Sequence, residues 1–179
     1  MDNFKADRLL LFGATGDLSR RKLLPSLCAL DADGLLPENL AIIGTARSEM
    51  TDGEFRNMAR AALEEFLPAE RRGGMAGFLN RLSYQDLDAT TIEGFDALAE
   101  KVNATGSDEG GLAIFLSTAP SLFGPTIAGL QHAGLTGERV RMCLEKPLGT
   151  DLESSAEIND AVAAAFPEER IFRIDHYLG

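Results

Sequence analysis

The sequence predicts an α/β fold, a doubly wound and mostly parallel sheet with helices on both faces. Short, continuously apolar runs such as LLLF, AIIG and LAIFL read as strands buried on both sides. Between them lie stretches with apolar residues at helical spacing, so strand and helix alternate along the chain. Right-handed crossovers then favour the doubly wound arrangement. Ligands of such sheets lie beyond the carboxyl ends of the strands, which makes the residue after each strand the one to inspect.

The first strand is Leu9 to Phe12, ended by Gly13 and followed by a helical stretch with Leu23, Leu27 and Leu30 at i, i+4, i+7. Pro25 lies inside that stretch and should bend or restart the helix, because its ring clashes with the carbonyl of Arg21. Ala41 to Arg47 is the second strand, and the next helix opens at Thr51, with Asp52 and Glu54 suited to its first turn. RRGGM is read as a break, Phe78 to Leu82 as a short helical piece, and Ser83 to Asp86 as a brief third strand. Ile92, Phe95, Leu98 and Val102 predict a helix over 87–102, ahead of the loop NATGSDEGG. GLAIFLS is the fourth strand, Pro120 to His132 a helix, VRMCLE the fifth strand, Thr150 to Ala165 a helix with a good cap, and RIFRID the last strand.

Composition narrows the class. A chain of 179 residues with 45% apolar and 25% charged residues can bury one sizeable core, which predicts a single domain over 1–179. The net charge of −11 disfavours nucleic acid and anionic membrane as partners, and any phosphate site must be a local island of Arg and Lys. Cys28 and Cys143 sit in apolar runs without metal-ligand spacing, so no metal is expected and both are read as buried free thiols of a reducing cytoplasm. The N-terminal MDNFKADRLLLFG does not resemble a signal peptide, and no apolar run approaches the ~20 residues of a membrane-spanning helix.

The strand ends carry the chemistry. GATGDLSRRK follows the first strand, where Gly13 and Gly16 permit a tight turn and close approach to a pyrophosphate on the positive end of the next helix. Leu18 stands where a third glycine is usual. After the second strand, Arg47 and Ser48 stand where an NAD site places a carboxylate for the ribose 2'-hydroxyl. A planar fork of donors suits a 2'-phosphate, so the expected coenzyme is NADP, with NAD admissible. Lys146 ends the fifth strand before Pro147, a context compatible with a cis peptide. By itself EKP is read as a surface ion pair. Arg20, Arg21 and Lys22 point about 100° apart around a helix, so at most two can face the crevice.

Together GATGDLSRRKLLPSL, EKPLGTDLESS and RIDHYLG resemble, in order and spacing, the coenzyme-binding half of the glucose-6-phosphate dehydrogenase family, from Leu9 to Gly179. The resemblance implies a Rossmann-type NADP-binding domain, with 173–179 opening the substrate-binding signature and the family's second, α+β domain absent. It implies coenzyme contacts from Gly13, Ala14, Thr15, Gly16, Asp17, Leu18, Arg47 and Ser48. Lys22 and Lys146 match substrate lysines, with Lys146 also near the nicotinamide; His176 and Tyr177 match the residues that hold the sugar 6-phosphate; Asp175 matches the aspartate that orients a catalytic histidine lying beyond this chain. His132, read as mid-helix, is an ordinary partly exposed histidine. The implied partner is glucose 6-phosphate, the implied full-length state a homo-oligomer in the cytoplasm, and the implied chemistry a step of the pentose phosphate pathway that this chain alone does not perform. A fragment of this kind should also expose an apolar patch. Two other readings stay open on the residues alone: another two-domain sugar dehydrogenase with an EKP loop, and a stand-alone nucleotide-binding or regulatory module.

Overall fold

A computed structural model describes residues 4–107, 109–145 and 152–174, with 152–154 described by their backbone alone. Six strands, β1 (Ala6–Phe12), β2 (Ala41–Ala46), β3 (Leu82–Asp86), β4 (Gly111–Leu116), β5 (Val140–Glu145) and β6 (Ile171–Ile174), form one sheet in the order β3-β2-β1-β4-β5-β6. Every neighbouring pair among the described strands is parallel. The chain starts mid-sheet, runs outward to β3, returns to the other side of β1, and runs outward again to β6. The strand order therefore reverses between β1 and β4, where a crevice is left at the carboxyl edge.

Alternation along the strands divides the core in two. Leu11 and Ile42 face α1 (Leu24–Ala32), α2 (Asp52–Phe66) and α3 (Met75–Asn80), while Leu10, Phe12, Ile43 and Ile114 face α4 (Phe95–Thr105), α5 (Phe123–His132) and α6 (Leu152–Ala165). The first layer does not extend across the whole sheet. Phe115, Cys143 and Phe172 are lateral neighbours on β4, β5 and β6 on that same face. Phe115 and Cys143 are only half-buried and Phe172 is 50% exposed. Cys28 is buried as expected, but Cys143 is less covered than its apolar run implies, because no helix among the described residues packs over it.

Local chemistry explains most element boundaries. Ser19–Leu23 forms a π-helical turn, and α1 restarts at Leu24 with Pro25 in its first two positions, where the missing N–H costs nothing. The buried face of α1 is Leu24, Pro25 and Cys28; Leu23 and Leu27 are half-buried and Leu30 is 38% exposed, so the leucine stripe read from the sequence is displaced by one position. Thr51 caps α2 through a capping box with Glu54, whose carboxylate accepts from the Thr51 amide at 2.8 Å.

Three sequence assignments are corrected. The RRGG break is a 3-10 turn over Ala69–Gly74, the following helix runs Met75–Asn80, and Leu82 belongs to β3. The helix expected over 87–102 begins only at Phe95. Asp88 accepts from the amide of Thr90 at 2.9 Å and from its hydroxyl at 2.7 Å, a local turn that competes with the helix, and Gly94 takes a left-handed φ of +88°. The helix then continues to Thr105, into the stretch read as loop. His132 is the last residue of α5, not a mid-helix one, with its Nε2 3.6 Å from an Asp96 carboxylate oxygen. The cap expected at Thr150 and Asp151 lies outside the described residues.

Candidate coenzyme cleft

The reversal between β1 and β4 opens a cleft of about 410 Å³, within the span of about 300–1,000 Å³ usual for small-ligand sites. Its floor is the turn after β1, with Gly13, Thr15 and Gly16. One side is the end of β2, with Thr45, Ala46 and Arg47; the others are the loops after β3 (Leu87 to Thr90) and after β4 (Ser117 to Ala119, Ser121 and Leu122).

Internal hydrogen bonds hold the turn in place. Thr45 O accepts from the amides of Gly13 at 2.9 Å and Ala14 at 3.2 Å, Gly13 O accepts from the Gly16 amide at 2.9 Å, and the Ser19 hydroxyl also donates to Gly13 O at 2.9 Å. Gly13 has φ +73°, and a Cβ there would stand 2.3 Å from the Ser117 carbonyl oxygen. Three turn amides are thus engaged internally. Those of Thr15, Asp17 and Leu18, leading into the helix, make no hydrogen bond among the described residues and are the donors open to an anion.

Arg47 is an exposed guanidinium with no hydrogen bond or ion pair among the described residues, unlike Arg8, Arg56, Arg72 and Arg81, which all bond to the protein. Asp88, across the cleft rim, is held below the ordinary carboxylate range chiefly by the Thr90 hydroxyl and amide, with a smaller contribution from Arg47. Leu87 and Ala89 are buried and, with Leu122, give an apolar wall. Among the described residues Thr45 Oγ1 and Thr118 Oγ1 are shut from solvent without a hydrogen-bond partner, a standing cost of about 1–3 kcal/mol each.

The remaining residues assigned from the sequence fall around this cleft in different ways. Ala14 lies beneath it, fully buried against Gly44. Asp17 is exposed and pairs with Arg21 at 3.9 Å, and Arg21 also stacks over Phe66, so that cation is directed away from the crevice. Leu18 flanks the turn, Lys22 is exposed, and Ser48 contributes its carbonyl to a tyrosine contact. Lys146, Pro147, Asp175, His176 and Tyr177 lie outside the described residues. The loops over 87–90 and 117–122 line the cleft without being among the residues the sequence assigns to it. LSTAPSLF did stand at a strand end, and the Asp-x-Thr turn was the available signal for the other loop.

Residues 10–179 match a family model described as "Glucose-6-phosphate dehydrogenase, NAD binding domain". Glucose-6-phosphate 1-dehydrogenase of Zymomonas mobilis subsp. mobilis is 53% identical over 173 residues, covering 96% of this chain and 35% of that protein. A solved glucose-6-phosphate dehydrogenase, in complex with its substrate glucose-6-phosphate, superposes with a TM-score of 0.86 at 31% identity, covering 98% of this chain and 37% of that one. Glucose-6-phosphate 1-dehydrogenase from Mycobacterium avium gives a TM-score of 0.83 at 33% identity with the same coverages. The chain thus spans about a third of the length of these relatives.

Proposed function

Because the chain belongs to the family of glucose-6-phosphate dehydrogenase NAD binding domains, we propose that it is the coenzyme-binding part of a glucose-6-phosphate 1-dehydrogenase and that it binds NADP in preference to NAD. The observation that carries the coenzyme preference is Arg47 on the rim of the switch-point cleft, without a hydrogen bond or ion pair among the described residues, at a place where Arg47 and Ser48 rather than a carboxylate directly follow β2. The cleft fits the group: free amides at a helix start for a pyrophosphate, an apolar wall for a flat base, and a guanidinium beside it for a phosphate.

When bound, the nicotinamide supplies the acceptor for the hydride leaving C1 of glucose 6-phosphate, which becomes 6-phosphogluconolactone, a step of the pentose phosphate pathway. The chain's own residues bind and orient. Thr15, Asp17 and Leu18 would hold the pyrophosphate through their amides, and Arg47 with Ser48 would hold the 2'-phosphate. On the motif RIDHYLG, His176 and Tyr177 hold the sugar phosphate and Asp175 orients a histidine base; Lys22 and Lys146 contact the sugar. That base belongs, on this reading, to the remaining two-thirds of the relatives' length. The match to the family model displaces the other EKP-loop sugar dehydrogenase as the better reading.

Titration calorimetry tests the reading. NADP should bind the 179-residue chain at least about tenfold more tightly than NAD, the worth of one charge-assisted contact of about 1.5–3 kcal/mol. Arg47→Ala should erase the difference. The chain should show no turnover of glucose 6-phosphate with either coenzyme, and robust oxidation by pure chain would refute the assignment of the base.

A further inference from the structure

The Arg47 loop is held by a residue that does not line the cleft. Tyr84, on β3 opposite Gly44 of β2, is 3% exposed, and its hydroxyl lies 2.6 Å from the carbonyl oxygen of Ser48 and 3.0 Å from that of Ala46. Those two carbonyls flank Arg47 in sequence. A phenol has one proton, so it donates to the nearer oxygen and shares it with the farther. The Ala46 carbonyl also accepts from the Leu87 amide at 2.9 Å, which joins the same backbone to the loop forming the opposite wall of the cleft.

The tyrosine is itself fixed from several directions. Its ring lies 5.1 Å from that of Phe55, tilted by 35°, and its amide donates to Asp52 Oδ1 at 2.8 Å. Phe55 sits where Gly44 has no side chain; a Cβ at Gly44 would come within 2.5 Å of the ring. Burial first, and then Asp86, push the hydroxyl up to about 12, so it remains a donor at any working pH.

An exposed arginine on a free loop must be ordered when it binds an anion, and that ordering weakens binding. Resting on the coenzyme reading of Arg47 given above, we infer that Tyr84 is a positioning residue for the 2'-phosphate contact: its hydroxyl clamps the backbone on both sides of Arg47 and presets the main chain from which the guanidinium extends, so that it sets preference between the two dinucleotides from outside the cleft. NAD, lacking the 2'-phosphate, draws no benefit from a preset Arg47.

The test uses Tyr84→Phe, which keeps the ring and removes only the hydroxyl, with calorimetric titration of NADP and NAD into wild type, Y84F, R47A and the double variant. The expected result is a loss of roughly five- to tenfold in NADP affinity for Y84F, the size of one neutral hydrogen bond. NAD affinity should change less than about twofold, and Y84F should have no further effect on NADP in the R47A background. A tyrosine that only supports the core would weaken both dinucleotides alike, or add to R47A, and either outcome overturns the inference. So does a Y84F variant with the wild-type ratio in a protein whose ratio R47A abolishes. If R47A leaves wild-type discrimination unchanged, the coenzyme reading fails first and this inference with it.

Discussion

Gly13 shows how one atom sets the shape of the cleft. Its φ of +73° is available cheaply only to glycine, and the 2.3 Å approach that a Cβ would make to the Ser117 carbonyl is backbone against backbone, which neither strand can relieve by a side-chain rotation. The floor and one wall are therefore as close as two main chains can come. Gly13→Ala should lower unfolding stability by about 3 kcal/mol, from left-handed strain together with overpacking, and urea denaturation should show it as a shifted midpoint with an unchanged slope. Nicotinamide dinucleotide affinity should fall alongside, since separating the turn from β4 moves the free Thr15 amide. At the neighbouring strand end Arg47 acts in the opposite sense: it makes no hydrogen bond or ion pair among the described residues, and its replacement should leave the same urea midpoint nearly unchanged.

The elements are tied together at their amino ends by polar contacts as well as by the core. Asp7 on β1, 6% exposed, accepts from the amide and hydroxyl of Ser107, both at 2.8 Å, and pairs with Arg8 at 3.0 Å; Arg8 in turn donates to the carbonyl of Gly110. Burial pushes the Asp7 carboxyl up, but the Ser107 bonds and the Arg8 guanidinium outweigh it, and the net shift is downward. A folded value below the unfolded one, about 3.9, gives a contribution present above that value and lost as the pH falls through the lower, folded value. Stability should therefore decline on acidification below about pH 4. Asp7→Asn should cost about 1–3 kcal/mol at pH 7 and flatten that decline, as followed by urea melts across pH. Contacts of this kind span about a hundred positions of sequence, and no spacing rule announces them. What could be read was periodic or local: the apolar strands, the capping box at Thr51, the restart at Pro25, and the glycine turn and arginine at two strand ends. What could not was decided by competition. Ile92 has the right spacing for α4, yet the Asp88–Thr90 turn and Gly94 keep it in a loop, and that loop supplies a wall of the cleft. Tyr84 read as an ordinary strand residue, because its contact with the Arg47 loop depends on the lateral register of β3 on β2.

At the scale of the molecule, the cleft draws its walls from both halves of the sheet, with β1, β2 and β3 on one side and β4 on the other, so a dinucleotide lying in it bridges the two halves. The sheet's two outer strands are unlike. On β3, Arg56 donates to the Leu82 carbonyl at 2.8 Å, Asp52 takes the Tyr84 amide, and Tyr84 is buried under α2. On β6, Phe172 and Arg173 are exposed and β5 supplies the ladder on one side alone among the described strands. The half-covered rim has a kinetic consequence. Amide deuteration should proceed through separate opening units, with β6 exchanging first by brief local detachment and β1, flanked by two partners, exchanging only with global unfolding. Mass spectrometry of labelled peptides resolves the two rates, and equal protection of the two strands would mean that the far rim is as firmly held as the centre.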